Sequence, residues 1–176
     1  MKKLTTEEMH RMTVDEFRES EKLPLVVVLD NVRSLNNIGS VFRTSDAFRV
    51  ERICLCGITA TPPHREIHKT ALGAEESVAW TYHEDARDCL RSLKEQGYTI
   101  YAVEQVDDSI KLNAQFEIHS PRLAIVLGNE IEGVQETLLP LCDGSFEIPQ
   151  FGTKHSLNVS CAAAIVIWEM FKRLKV

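Results

Sequence analysis

The sequence predicts an α/β protein with a mostly parallel six-stranded sheet and helices on its faces. Three observations carry this. Apolar runs of four to five residues alternate with longer helical patterns along most of the chain, the mark of parallel strands joined by crossover helices. The runs at 25–29 (Leu-Val-Val-Val-Leu) and 123–127 (Leu-Ala-Ile-Val-Leu) are apolar without alternation, as strands covered on both faces must be. The 176 residues, 44 % of them hydrophobic, suffice for one ordinary core.

The elements follow in order. Residues 1–22 are polar and form an arm or helix ahead of a single domain at 23–176. Strand one is 25–29 and begins after Pro24. Residues 37–48 read as a helix with Val41, Phe42 and Ser45 on one face and Ile38 beside it. Residues 53–56 are strand two. Residues 58–69 contain Thr-Pro-Pro-His and read as a loop. Residues 78–82 are strand three. An amphipathic helix at 84–96 is stopped by Gly97. Strands four and five are 99–103 and 123–127, a short helix spans 133–139, and strand six is 145–148. A long final helix covers 158–174.

Composition excludes several classes. The longest apolar runs, 25–29 and 161–168, fall far short of the about 20 residues that cross a bilayer. Basic residues at the N-terminus lead into no apolar stretch, so no signal peptide is expected. The expectation is a cytoplasmic protein whose five cysteines are reduced thiols. Cys54-x-Cys56 with His64-x-x-x-His68 invites a zinc reading. Two residues is the strand period, however, so both thiols face one side of a strand, whereas zinc pairs sit two to four apart on a turn; no metal is expected.

The net charge of −6 is unevenly spread. Residues 70–150 carry fifteen acidic and five basic side chains, whereas 31–69 carry three acidic and six basic, and 151–176 one and four. Binding a polyanion needs a locally basic face rather than a basic protein.

Three segments carry chemistry. Residues 30–49 contain Asn36-x-x-Gly39-x-x-x-Arg43. Residues 123–134 contain Leu127-Gly128-x-Glu130-x-x-Gly133. Residues 148–164 contain Ile148-Pro149-x-x-Gly152 followed by Ser156-Leu157-Asn158-Val159-Ser160. The third is a polar loop running from a strand end into a helix start, which is where α/β sheets bind ligands. Neither a Gly-x-Gly-x-x-Gly nor a Walker pattern follows any strand, which argues against a dinucleotide or nucleoside triphosphate site.

In this order and spacing the three segments resemble the motifs of the SpoU (TrmH-like) RNA ribose 2′-O-methyltransferases of the SPOUT superfamily, over about residues 24–174. The resemblance implies a C-terminal trefoil knot, which no sequence pattern reveals. It also implies a homodimer, S-adenosylmethionine as cofactor, and RNA as substrate, with tRNA favoured over rRNA. A non-catalytic RNA-binding or cofactor-binding member of the same fold is the alternative.

By that resemblance Arg43 is the catalytic residue. An arginine is a poor base but, held by a phosphate, can orient a hydroxyl and stabilise an oxyanion; the bland alternative is an ion pair with Asp46 at i+3. Asn36, seven residues earlier, shares its helix face and would position the ribose or the arginine, or cap the helix, a role for which Asn37 competes. Glu130 would hold a hydroxyl, an arginine or a ribose, with Glu132 its competitor. Ser156 and Asn158 would contact the ribose or the methionine moiety, or cap the last helix. Gly128, Ile148 and Leu157 match positions around the adenosine, with Leu127 and Glu104 as further cofactor contacts. His155 reads as a loop residue. Gly39 permits close backbone approach.

Overall fold

A computed structural model of the chain describes residues 1–5 and 7–174. The elements are α1 (Val14–Glu19), β1 (Leu23–Asp30), α2 (Leu35–Ala47), β2 (Val50–Cys56), α3 (Arg65–Ala71), α4 (Ala74–Ser77), β3 (Trp80–His83) and α5 (Ala86–Glu95). There follow β4 (Thr99–Val103), β5 (Ile110–Lys111), β6 (Leu123–Leu127), a 3-10 turn at Leu139–Leu141, β7 (Gly144–Glu147) and α6 (Val159–Arg173). Among the described residues the strands form one sheet, ordered β3-β2-β1-β6-β4-β7-β5, and every pairing is parallel.

The central strands β1 and β6 are buried on both faces, as their unbroken apolar runs require. Leu25, Val27 and Leu29 of β1 and Leu123, Ile125 and Leu127 of β6 join one apolar layer with Ile38, Val41 and Phe42 of α2 and Ala163, Val166, Ile167 and Met170 of α6. Val26, Val28, Ala124 and Val126 face the other layer, covered by Cys89, Leu90 and Leu93 of α5. Side chains alternate across a strand, so one run of five supplies both layers. The chain winds outward from β1 through β2 to β3, then crosses to the other side for β4, which puts the reversal beside β1 and β6. Crevices at such a reversal, outside the carboxyl ends of the strands, are the ligand sites of open α/β sheets.

Several boundaries differ from expectation. The sheet has seven strands rather than six; β5 is two residues long and too short to repeat a period. Arg65–Ala71 is a helix, where the prolines at 62 and 63 suggested a loop through residue 69; His64 caps it, its Nδ1 accepting from Glu66 N–H at 3.1 Å. Residues 133–138 are not helical: turns lead into the 3-10 turn at Leu139–Leu141. Pro24 lies inside β1, at the register irregularity between Leu23 and Val26, because a strand accepts proline where the ladder is already broken. β3 and β7 are shifted by one or two residues, and β2 starts earlier, at Val50. The N-cap of α2 is Ser34, accepting from Asn37 N–H at 3.3 Å, rather than Asn36 or Asn37.

The ends of α2 and α5 make a useful contrast. Gly97 follows α5 at φ +84°, and Arg49 follows α2 at φ +51°. Both are left-handed, a conformation that costs a residue with a Cβ about 1 kcal/mol relative to glycine. One position has the residue that fits the backbone, and the other has an arginine.

Candidate active site

The loop after β6 is closed on itself. Asn129 and Gly133 exchange backbone hydrogen bonds at 2.9 Å each, and Asn129 Oδ1 accepts from Ile131 N–H at 2.9 Å. Gly133 turns the chain at φ +71°. Gly128 lies so close beneath it that a Cβ there would stand 2.1 Å from the Gly133 carbonyl and 2.2 Å from Val134 N. Gly128 thus permits a close approach of the loop's own backbone.

Four ties fix this loop to the sheet. Glu104, at the end of β4, accepts from Val134 N–H at 3.1 Å. Asn129 Nδ2 donates to the Asn31 carbonyl at 2.9 Å. Gln135 Nε2 donates to both oxygens of Asp30, at 2.8 and 3.1 Å; burial raises the Asp30 carboxyl above the usual range, against the lowering effect of Gln135. The fourth tie is Glu130.

Glu130 reaches the start of α2. Its Oε2 accepts from Arg33 N–H at 3.0 Å, and its Oε1 from Ser34 N–H at 2.9 Å and from Asn37 Nδ2 at 3.1 Å. A carboxylate at a helix N-terminus also meets the positive end of the helix dipole. Burial pushes its pKa up, but the backbone N–H groups of Arg33 and Ser34, with Asn37, outweigh that and hold it below the usual carboxylate value. Such a group stays ionised at neutral pH and is a weak proton acceptor. Its arrangement suits a clamp rather than a general base.

Asn37 then links the two ends of the site. Its Oδ1 accepts from Asn158 Nδ2 at 3.1 Å. Asn158 in turn caps α6, with Oδ1 accepting from Ser160 N–H at 2.9 Å and Cys161 N–H at 3.4 Å. The chain Glu130–Asn37–Asn158 therefore joins all three sequence segments. Asn37→Asp removes a donor to Glu130 and sets a second carboxylate against it; a loss of about 1–3 kcal/mol is expected, read from the shift of the urea midpoint.

Around the carboxyl ends of β4, β6 and β7 lies a cavity of about 700 Å³, within the usual range for small-molecule sites, about 300–1,000 Å³. Glu104, Leu127, Gly128, Ile148 and Leu157 all line it, as do Glu130, Ser156 and Asn158. Leu127 is buried, Ile148 half-buried and Leu157 39 % exposed, so the cavity has an apolar floor and an open rim. Five glutamates line it: Glu104, Glu130, Glu132, Glu136 and Glu147. Across the rim, Gln105 Nε2 donates to the His155 carbonyl at 2.9 Å and pins the 149–157 loop. Asn158, not Ser156, is the cap of α6.

Asn36 and Arg43 are not part of this set. Both are exposed on α2. Arg43 is six residues beyond Asn37, about 9 Å further along the helix, and lines a separate cleft. Its ion pair with Asp46 is not formed; Asp46 Oδ1 accepts from the Ser77 hydroxyl at 2.5 Å. Asn37 is the residue the sequence reading missed as a site residue. Two adjacent asparagines offer no pattern by which to choose, and only burial separates them.

Gly39 allows the expected close approach, here of α3: a Cβ would stand 2.1 Å from Thr70 Oγ1 and 2.3 Å from the Ile67 carbonyl. Cys54 and Cys56 share the buried face toward α5. His64 and His68 belong to α3 and are engaged there with Glu66 and Glu75. Cys54, His83 and Cys89 come within 4.8 Å of one another. The hydrogen bond with Cys89 and burial push the Cys54 thiol far up.

The model of the SpoU rRNA Methylase family matches residues 24–168. The chain belongs to that family. Its relatives include a tRNA (guanosine(18)-2′-O)-methyltransferase of Thermus thermophilus, 33 % identical over 92 % of this chain and 81 % of that one. Another is the 23S rRNA (guanosine-2′-O-)-methyltransferase RlmB of Vibrio parahaemolyticus, 30 % identical over 94 % of this chain and 66 % of that one. Among solved structures, the A. aeolicus TrmH/SpoU tRNA modifying enzyme superposes with a TM-score of 0.79 at 25 % identity, over 91 % of this chain and 80 % of that one. An AdoMet-bound rRNA methyltransferase from Sinorhizobium meliloti shares the fold, with a TM-score of 0.79 at 24 % identity, over 93 % of this chain and 60 % of its own. Gly128, Glu130, Gly133 and Asn158, which build the loop and its clamp, all lie within the matched stretch.

Proposed function

We propose that the chain is an S-adenosylmethionine-dependent RNA methyltransferase that methylates a ribose 2′-hydroxyl, with tRNA favoured over rRNA. The observation that carries this is the Glu130–Asn37–Asn158 chain at the rim of an acidic cavity, in a SpoU family member. S-adenosylmethionine supplies the methyl group as an activated carbon and leaves as S-adenosylhomocysteine. The residues present fit it. Leu127, Ile148 and Leu157 offer an apolar bed for a purine, and five carboxylates favour a sulfonium cation. The same carboxylates repel phosphate, so the RNA must present its ribose to the rim and keep its backbone elsewhere.

The chain's own residues position. Glu130 and Asn37 fix the start of α2 against the loop after β6. Asn158 and Ser156 offer polar groups at the rim for the ribose. Arg43 carries the charge that orients the hydroxyl and stabilises its developing oxyanion while the hydroxyl proton passes to solvent at the open rim, with Asn36 beside it on the exposed face of α2. Since Arg43 lies away from its own chain's cavity, the reading needs a homodimer in which one copy's α2 face meets the other copy's rim. Exposed Trp168, clustered with Phe48 and Phe171, provides an apolar face beside α2 for that contact. The trefoil knot, a methyltransferase domain at 23–176 preceded by an arm at 1–22, and a cytoplasmic location complete the proposal. No helix among the described residues is long and apolar enough to cross a membrane.

The test is methyl transfer from radiolabelled S-adenosylmethionine to unmodified bulk tRNA or rRNA, followed by nucleoside separation. A labelled 2′-O-methyl nucleoside is expected. Arg43→Ala and Asn158→Ala should each be inactive alone. Mixed and re-equilibrated, they should recover up to about a quarter of wild-type activity, because half the dimers then carry one intact composite site. Wild-type activity in Arg43→Ala would remove that residue from the mechanism, and a monomer by light scattering would remove the dimer.

A further inference from the structure

Away from the cofactor cavity, a cleft of about 620 Å³ runs between the C-terminal half of α2, the α3–α4 corner and the N-terminal arm. Its charged lining is Arg11, Arg43, Arg49, Asp46 and Glu76. Of the eight arginines outside it, Arg18, Arg52, Arg87, Arg91, Arg122 and Arg173 each have a carboxylate within 4.0 Å, while Arg33 and Arg65 stand singly. Among the described residues the three cleft arginines have no such partner. Asp46 is occupied by the Ser77 hydroxyl.

Arg49 is the informative member. It stands at φ +51° just past the end of α2, where glycine suits the backbone, as it does after α5. Residues held in this region are fixed by their surroundings and cluster at functional sites; Leu72, on the same cleft, shares the conformation at φ +53°. Packing does not account for Arg49, which is only half-buried and whose guanidinium has no carboxylate partner among the described residues. Nearby, the Lys22 ammonium is held on the carbonyls of Phe17, Arg18 and Ser20. Burial, then the charge of Arg49, lower the Lys22 pKa, so the two cations are close enough to repel each other. The fold thus gathers positive charge here, while the cofactor cavity collects five glutamates.

We propose that this cleft is a phosphodiester subsite, with Arg49 as its central contact, that holds the backbone of the substrate RNA beside Arg43. This rests on the RNA reading above. It answers the requirement left by the acidic cavity: the ribose goes to the rim, and the flanking phosphates need a basic surface off that rim. Arginine suits the task because its planar fork pairs two phosphate oxygens.

The test is Arg49→Gly in the full chain, since glycine relieves the backbone and the fold should be at least as heat-stable as wild type. Binding of unmodified bulk tRNA is measured across salt concentrations, with S-adenosylmethionine binding followed by calorimetry. The expected result is a several-fold weaker Kd, a slope of log K against log salt reduced by about 0.7–0.9, and unchanged cofactor affinity. Arg49→Lys should recover most of the slope. Wild-type Kd and slope in Arg49→Gly, with methyl transfer intact in the wild type, would overturn the subsite and leave the enzyme reading standing. Inorganic phosphate binding lost in Arg49→Gly while the RNA slope stays unchanged would assign the cleft to a free anion and overturn it too. No RNA binding or methyl transfer by the wild type would overturn both proposals.

Discussion

Glu130→Ala is expected to lower methyl transfer by about 10²-fold, the scale seen when a site loses its alignment, and to destabilise the fold by about 2–3 kcal/mol. The side chain satisfies three donors, the exposed Arg33 N–H and the part-buried Ser34 N–H and Asn37 Nδ2, and leaving part-buried donors without partners costs up to about 1–3 kcal/mol each, less where water can enter. Both losses have one cause: α2 is no longer held to the loop after β6, and Asn158 loses its aligned partner Asn37. Glu130→Gln keeps one acceptor oxygen and should fall between. The carboxyl is held below its ordinary value of 4.5. Its stabilisation is therefore fully present above about pH 4.5 and is lost as pH falls through the lowered folded value. Urea midpoints measured from pH 7 down to 3 should show that loss in the wild type and a flatter profile in Glu130→Gln. An equal slope in both would mean that other carboxylates account for the acid sensitivity.

Gly128→Ala should be nearly as damaging, by a different route. The new Cβ would run into the Gly133–Val134 peptide group, with Gly133 C and O each at 2.1 Å and Val134 N at 2.2 Å, and no side chain can rotate away to make room. The 129–133 turn must lift, which also strains the Glu104 and Glu130 ties. Overpacking of this kind costs about 1–3 kcal/mol. The larger effect should be on S-adenosylmethionine affinity, measured by calorimetry, because Leu127 and the displaced loop form one wall of the cavity. Gly152→Ala is the natural comparison: nothing lies within 4 Å of a Cβ there, so it should bind cofactor like the wild type. Wild-type affinity in Gly128→Ala would show that the loop is not part of the cofactor wall.

The sequence made the frame legible because burial on both faces leaves an unmistakable apolar run, as in Leu25 to Leu29 and Leu123 to Leu127. Glu104, Leu127, Gly128, Ile148 and Leu157 come together on one cavity because they sit at or just beyond strand ends and before a helix start, where motif and architecture coincide. What could not be read has physical reasons. β5 has two residues, a single period with nothing to repeat it. α3 has seven and an unusual histidine cap after two prolines. The role of Glu130 depends on backbone N–H groups at 33 and 34, and every residue type but proline supplies those. Asn36 and Asn37 are chemically identical neighbours, and only the helix start at Leu35, one residue after its Ser34 cap, turns Asn37 inward. Arg49 looked like any surface arginine until its φ was known.

The position of β6 bears on how the chain is made. It is the strand between β1 and β4, yet it is synthesised well after both. Residues 30 and 123 are separated by most of a hundred residues, which a ribosome adds at about 5–20 per second. For about 5–20 s, then, the nascent chain carries β1 and later β4 with their inner edges unpaired and their apolar faces incompletely covered. Unpaired apolar edges are where chains stick to one another. The centre of the sheet is thus sealed late, and newly made protein should depend on chaperones during that interval far more than the finished, fully buried strand suggests.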